Sequence, residues 1–393
     1  MTDNEGRQAL RRALYRRLHW LWPLLASSRV RSALRGLAWT GFALWLAFAA
    51  LVLVLRYAVL PNVAHFQPQI ESAIGRAIGQ RVTIGRIEAR WQGLNPDLVL
   101  DQVAIVNPQG EQVFALQRVE TVLSWHSLWR ARPILALLVI ERPVLHVRRE
   151  RDGRITVAGI ETESEGDPAF SEWVLHQRRI RIRDATVVWE DRLRNAPPLA
   201  LEDLQFGLDN RGRRHRFGLT AAPPTELAAR VDLRGEVEGD PGEALADLSG
   251  RLFLQLDYAD LAGWKAWVDY PVGLTQGRGA LRAWVDFGEG LGRLTTDLAL
   301  DAVRIRLGPK VPELDLQSLR GRLSGRYRVG AWRVAGNNVE LQTGDGLRVP
   351  ATDFQLEWQQ DQHSGKVTGT AGINFADLGV LSRLADFIPL DLR

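Results

Sequence analysis

Many short stretches of the chain alternate apolar and polar residues, as β-strands with one buried face do. Five of them share an interruption, in which two residues break the alternation before it resumes. They are LVLDQVAI (98–105), IRIRDATVVW (180–189), LALEDLQFGL (199–208), LALDAVRIRL (298–307) and LDLQSLRGRL (314–323). A straight strand would send the later apolar side chains to the opposite face. A β-bulge at the interruption restores the facing, so the pattern predicts kinked strands with one apolar surface.

The rest of the body contains similar strands at spacings of about ten residues and little helix. In RLFLQLDY (251–258) apolar residues alternate with charged and polar ones, and Phe253 is the exception. Repeated bulges coil a sheet. We predict a mainly β protein, in which an N-terminal transmembrane helix and a short helix precede a long, curved, twisted antiparallel sheet that forms an apolar groove. An ordinary β-sandwich with irregular edges is the alternative.

An apolar run near the N-terminus predicts a membrane anchor. Residues 36–55 form a stretch of twenty residues without a charge, between Arg35 and Arg56. At about 1.5 Å per residue, such a helix crosses a hydrocarbon core about 30 Å thick. We assign 36–56 to a transmembrane helix. A cleaved signal peptide fits less well, because the run is too long and no A-x-A-like site follows.

The charge distribution gives this helix an orientation. Residues 1–35 carry eight arginines against two acidic residues, and the rest of the chain carries 42 basic against 44 acidic residues. A nearly neutral body argues against nucleic-acid binding. Because basic residues favour the cytoplasmic side of a membrane, residues 1–35 are predicted to be a cytoplasmic basic tail, with the body on the other side.

Changes of pattern divide the body. Residues 61–160 begin with apolar residues at helical spacing, followed by strands, and are predicted to form a helix-plus-strands cap domain. The spaced residues are Phe66, Ile70, Ile74 and Ile78. Residues 161–172 (ETESEGDPAFSE) are acidic, lack an apolar period and form the predicted linker. Residues 173–393 are predicted to be a repeating β-groove segment.

No arrangement of reactive residues points to catalysis. The chain has no cysteine, and its seven histidines are scattered without a pair at metal-ligand spacing. Hydrolase, phosphate-binding and calcium-binding motifs are missing from the sequence. We therefore predict no enzymatic activity, no cofactor and no metal site. Abundant carboxylates leave a glycosidase open by residue type, and a membrane-anchored hydrolase would need polar residues clustered within the apolar face.

Two sets of segments resemble a known family. The stretch from Pro61 to Ile105, which contains QIESAIGRAIGQRVTIGRIEARWQGLNPDLVLDQVAI, resembles the N-terminal signature of AsmA-like envelope proteins, with its V-x-I-x-x-I-x-x-x-W and P-x-L-x-L-x-x-V strands. The segments 180–219, GRLFLQLDYADLAGWKAWV, GRGALRAWVDF and LTTDLALDAVRIRL are similar to the YhdP-like branch. The similarity extends from about residue 37 to the end of the sequence, and its motifs are strand patterns.

The resemblance implies a bridge-like lipid transfer protein of a Gram-negative bacterium. Such proteins are anchored in the inner membrane and extend an apolar β-groove across the periplasm, in which phospholipid acyl chains move toward the outer membrane. YhdP-like proteins are longer, so the resemblance also implies that segment 173–393 is truncated at its C-terminus. The implied partners are phospholipid acyl chains, the inner membrane and envelope proteins, with no nucleic acid.

We predict a non-enzymatic, inner-membrane-anchored periplasmic protein that contributes to phospholipid transport between the two membranes. The alternative is a structural assembly or scaffold factor that binds protein partners through its sheet edges. The predicted groove-lining residues share the alternation around the interruptions. They are Leu98, Leu100, Val103, Ile105, Ile180, Ile182, Leu252, Leu254, Leu256, Leu298, Leu300, Val303, Ile305 and Leu307.

Overall fold

The computed structural model describes residues 28–78, 81–93, 95–106, 112–125, 135–157, 160–162, 174–240, 248–270, 272–288, 290–328, 331–360, 367–374 and 378–387. Residues 1–27 of the predicted tail and residues 163–172 of the predicted linker lie outside this part. The chain divides into two compact units, Met1–Val63 and Ala64–Arg393. The predicted boundary between a cap domain and a groove segment stays a prediction, because strands from both belong to one sheet.

The first unit contains the apolar helix α1, Ser28–Val54. A π-helical turn (Leu55–Val59) and a 3₁₀ segment (Leu60–Phe66) follow it. Most of its large apolar side chains are exposed, and this region holds the one helix in the described part of the chain that is long and apolar enough to span a membrane. These properties are compatible with a single-pass membrane anchor.

The second unit contains helix α2, Gln67–Ile78, as the helical spacing predicts. The helix occupies part of the outer edge of the first strand. The Gln67 Nε2 atom donates to the Ile84 carbonyl at 2.6 Å, and the Ile84 amide donates to the Glu71 Oε1 atom at 2.8 Å. Backbone groups that would otherwise be open at this edge are therefore hydrogen-bonded to α2.

In the part of the chain that the structure describes, eighteen strands form one sheet. They are β1 Arg81–Gln92, β2 Asn95–Val106, β3 Gln112–Leu123, β4 Leu135–Glu141, β5 Val144–Arg149, β6 Ile155–Val157, β7 Ile160–Thr162, β8 Arg179–Asp191, β9 Leu199–Arg211, β10 Arg214–Ala222, β11 Val231–Glu238, β12 Ser249–Asp260, β13 Gly273–Gly288, β14 Leu291–Arg306, β15 Leu314–Arg328, β16 Ala331–Thr343, β17 Arg348–Gln360 and β18 Val367–Ile373. A 3₁₀ turn (Gly263–Ala266), helix α3 (Leu378–Leu384) and a last 3₁₀ turn (Ala385–Phe387) complete the described elements.

Consecutive strands pair antiparallel from β1 to β4 and from β8 to β18, which confirms the predicted mainly β fold. The sheet departs from a purely antiparallel arrangement at one place. Strands β4 and β5 lie end to end along β8 and pair with it in parallel. Parallel neighbours need a long connection, which the β6–β7 hairpin and the segment before β8 supply here.

Candidate functional site

The backbone is kinked where the sequence interrupts its alternation. Gln102, Asp184, Asp203 and Ala302 are the second residues of four interruptions, and their φ angles lie between 47° and 55°, in the left-handed region. In the fifth interruption, the register between β15 and β16 shifts between Leu316 and Ser318. A left-handed conformation is unfavourable for a residue other than glycine by about 1–2 kcal/mol. The surrounding sheet therefore has to stabilise each kink.

The kinks keep apolar side chains on one face of the sheet. Leu298 and Leu300 precede the kink of β14, and Val303 and Ile305 follow it, yet all four belong to one apolar cluster. A second cluster likewise joins Ile182 to residues beyond the kink of β8. We call the face that carries these clusters the inner face, and the opposite face the outer face.

Kinks of neighbouring strands lie side by side. In β2 and β3, Leu100 pairs with Val119 and Val103 pairs with Leu116. Two residues separate these pairs in each strand, so the interruptions of the two strands lie opposite each other. The pairs Leu300–Leu319 and Val303–Leu316 are separated in the same way in β14 and β15. We call this line of kinks the crease.

Several of the most buried side chains of the sheet lie beside the crease. Val303 is 1 % exposed, Leu300 is 4 % exposed, and Ala185 and Ala259 are fully buried. Residues on one face of a sheet become buried only when the sheet curves over them or another segment covers them. Leu261 and Tyr270, which lie between β12 and β13, pack against the cluster of Leu300 and Val303. The crease therefore holds a large part of the core of the sheet.

The kink in β14 allows a test of backbone strain. We expect Ala302→Gly to raise the free energy of unfolding by up to about 1 kcal/mol, because glycine adopts a left-handed conformation readily. Ala302→Val should lower it by at least as much, since a β-branched residue disfavours this region more strongly. Thermal unfolding of both variants in detergent, followed by circular dichroism, measures the two shifts. Equal shifts in the same direction would contradict a strained kink.

Away from the crease, the inner face of the last strands is open. The side chains of Leu294, Tyr327, Trp332, Leu356 and Ile373 are between 39 % and 51 % exposed. They share a face, because Leu294 aligns with Leu356 through Gly325 and Val334, and Tyr327 pairs with Trp332. The Tyr327 and Trp332 rings lie 4.6 Å apart, and Trp332 stacks on Trp358 at 6.2 Å. We call this surface the apolar wall. Contiguous exposed apolar surface of this kind marks an interaction site.

Between β8 and β17, the outer face is charged. One residue from each strand between β8 and β17 lies in register to form a transverse row, which we call the charge row. It consists of Arg179, Asp209, Arg216, Glu236, Arg251, Asp286, Arg293, Arg326, Arg333 and Glu357. Ion pairs join several neighbours, such as Arg179 to Asp209 at 2.9 Å and Arg216 to Glu236 at 2.6 Å. The hydrogen bond from Arg216 lowers the pKa of Glu236, so this carboxylate stays ionised.

The outer face also explains the exception at Phe253. Its ring lies 5.4 Å from the ring of Trp284 on the neighbouring strand. The Arg322 guanidinium carbon lies 5.8 Å from the centre of the Trp284 ring, and Arg322 forms an ion pair with Asp297. Aromatic and cation–π contacts thus accommodate an apolar side chain among charged ones. Phe253 does not interrupt the inner face.

A one-sided sheet of this kind, preceded in the sequence by an apolar N-terminal helix, agrees with the comparison with known families. A family model described as YhdP protein matches residues 27–393. The chain belongs to the YhdP family. Comparisons with curated proteins and with solved structures give no significant match.

In this YhdP-family chain, the register of paired strands connects most of the predicted lining residues with one another across the inner face. Leu98 connects to Ile180 through Thr121 and Leu138, and Ile180 connects to Leu252 through β9, β10 and β11. The buried ones are Leu98, Leu100, Val103, Ile180, Leu256, Leu300 and Val303. The half-buried ones are Ile105, Ile182, Leu252, Leu254, Leu298 and Ile305. Leu307 follows the end of β14 and is 38 % exposed. Their contact with lipid stays a prediction.

Sequence reasoning missed the apolar wall. The interruptions identify residues beside the crease, whereas the wall lies near the far ends of the strands. Its sequence signal is the alternation of large apolar residues and glycine, as in Leu323, Gly325 and Tyr327. At Gly336 an added Cβ would lie 2.2 Å from the Phe354 ring, so this glycine makes room for an aromatic neighbour.

Within the described residues, no group of three or more histidine and acidic residues could hold a metal ion. The YhdP family and the sheet suggest an envelope protein that works without catalysis. The chemistry of the site is therefore the contrast between an apolar inner face and a charged outer face.

Proposed function

We propose that this YhdP-family protein is anchored in the inner membrane by α1 and carries phospholipid acyl chains along the inner face of its sheet in the periplasm. The observation that carries the proposal is the apolar wall. Its side chains lie on the same face as the packed crease but are open, so an apolar ligand can lie against them. A lipid chain is such a ligand, and the envelope setting of the family supports it.

Solvation supplies the binding energy in this proposal. Each methylene group removed from water contributes about 0.8 kcal/mol, so even partial burial of an acyl chain holds it strongly. Movement along the face need not require a large barrier, because successive strands present similar apolar surfaces. Ile182, Leu254 and Leu298 illustrate the repetition.

The eight arginines of residues 1–35, which precede the apolar run of α1, support an orientation with the sheet on the periplasmic side. We expect alkaline phosphatase fused after residue 160 to be active, since this reporter requires export. Green fluorescent protein fused at the same position through a Sec-dependent anchor should be dark. Fluorescence together with an inactive phosphatase would place the body in the cytoplasm instead.

A scaffold that recruits partners by strand addition needs an open sheet edge. The edge of β1 is partly occupied, because α2 binds the backbone amide and carbonyl of Ile84. This contact favours lipid binding on the face of the sheet over strand addition at that edge.

Lipid analysis of the purified protein tests the proposal. We expect mass spectrometry of lipid extracts to find phospholipid bound to the wild-type chain in more than trace amount after gentle detergent washing. The helix α1 alone, purified in the same way, is the control for lipid that accompanies any membrane anchor. Equal phospholipid in both samples would contradict the proposal.

A further inference from the structure

The alternation of positive and negative residues in the charge row stops at one end. The signs alternate from Arg179 in β8 to Arg293 in β14, so each charge lies opposite its counter-charge. The next two positions are Arg326 and Arg333, which makes three arginines directly opposite one another on adjacent strands. Like charges in this arrangement destabilise a sheet. An anion between them would remove the repulsion.

Two of these arginines form no ion pair with another described residue. Arg333 forms an ion pair with Glu357 at 2.6 Å. In contrast, neither Arg293 nor Arg326 has a carboxylate of a described residue within 4.0 Å. Arg326 and Arg328 are both exposed. Their guanidinium groups are therefore available to a ligand.

A depression with a cavity volume of about 360 Å³ lies at these residues. Its polar lining includes Arg326, Arg328, Arg333, Glu357, Thr368 and Thr370. Three guanidinium groups against one carboxylate leave an excess of positive charge, and two hydroxyl groups can donate hydrogen bonds. Guanidinium groups match the geometry of a phosphate group, to which they donate pairs of hydrogen bonds.

This depression lies at the rim of the sheet, next to the apolar wall. Arg328 pairs with Ala331 and is the last paired residue of β15. At the same level, the inner face carries Tyr327 and Trp332, which are 39 % and 46 % exposed. Tyrosine and tryptophan side chains favour the boundary between apolar chains and headgroups. The rim thus carries aromatic rings on the groove side and arginines on the water side.

We propose that the arginines at this rim bind the phosphate group of a phospholipid whose acyl chains lie on the apolar wall. The proposal rests on the proposed function and specifies how the headgroup is recognised: the arginines bind its phosphate group at the rim of the sheet. At this rim, the charge row provides cations, and the exposed rings of Tyr327 and Trp332 lie on the opposite face at the same level.

Two lipids with the same acyl chains, one with a phosphate-containing headgroup and one without, test this. The full chain in detergent is titrated with acyl-labelled phosphatidylglycerol and with acyl-labelled diacylglycerol of the same chains. We expect the wild-type protein to bind phosphatidylglycerol about tenfold more tightly, which corresponds to about 1.4 kcal/mol. The double variant Arg326→Gln, Arg328→Gln should lose this preference and keep its affinity for diacylglycerol.

The matched control is Arg216→Gln, Arg322→Gln, which removes two ion-paired arginines from the same outer face. It should retain the preference of the wild type. Equal affinity of the wild-type protein for both lipids, or an unchanged preference in the rim variant, would overturn headgroup binding while leaving chain binding intact. Failure of the wild type to bind either lipid would overturn the proposed function as well.

Two other ligands distinguish the source of the anion. Binding of glycerol phosphate as tight as that of the lipid would identify a free phosphate ligand, and tighter binding of an acidic peptide would identify a protein partner. Either result overturns the proposal.

Discussion

A single carboxylate on the apolar wall is expected to block lipid movement while the protein stays folded. In Leu356→Asp, the charge retains bound water, and an acyl chain that passes it meets an obstacle of about 2–3 kcal/mol. Lipid transfer should therefore fall at least tenfold. Because Leu356 is already 41 % exposed, the new carboxylate remains hydrated, and we expect a loss of stability no larger than about 1 kcal/mol. Transfer of acyl-labelled phospholipid between donor vesicles that hold the protein and acceptor vesicles measures the effect.

The adjacent residue provides the control. Gln355 is exposed on the outer face of the same strand, so Gln355→Asp introduces the same charge on the opposite side. We expect transfer by this variant to stay within twofold of the wild type, as a charge on a solvated face does not meet the lipid. Equal transfer by the two variants would contradict movement of acyl chains along the wall.

The same substitution beside the crease is expected to unfold the protein. Val303 is 1 % exposed and packs in the cluster with Leu274, Leu300 and Leu316. In Val303→Asp, a carboxylate without a partner would be buried, which destabilises by several kcal/mol, on the order of 3–5. We expect low yield, loss of the cooperative thermal transition and rapid proteolysis.

Arg304→Asp is the control for the crease. Arg304 lies on the outer face and is exposed, and its ion pair with Asp315 is a surface pair that contributes about 1 kcal/mol at most. This variant should therefore unfold within a few degrees of the wild type. If Val303→Asp unfolded at the same temperature as Arg304→Asp, the crease would not hold the core, and the division between a packed crease and an open wall would be wrong.

The sequence predicts the kinked strands well because the cause is local. The alternation fixes which side chains share a face, and the two-residue step at Asp301 and Ala302 requires a bulge to preserve that facing. The apolar run that forms α1 is equally local. Its start at Ser28 instead of residue 36 reflects the helix-compatible polar residues that precede the apolar run.

Such local patterns do not predict which strands pair. The parallel pairing of β4 and β5 with β8 depends on the path of the chain between them, which periodicity does not encode. The same limit conceals the apolar wall, since Leu294 and Leu356 are 62 positions apart and become neighbours on one face only through β15 and β16. The three adjacent arginines of the charge row also emerge only from the register. From the alternation alone, each of these arginines would be predicted to lie on a solvated outer face.

Photo-crosslinking tests most directly whether acyl chains lie on the inner face. A photoreactive amino acid is placed at Leu356 or at Gln355 in cells that express the full chain, and the adducts are identified by mass spectrometry after irradiation. We predict phospholipid adducts, attached through their acyl chains, at position 356 and not at position 355. Adducts with protein at position 356, or equal lipid adducts at both positions, would contradict the proposed role of the inner face.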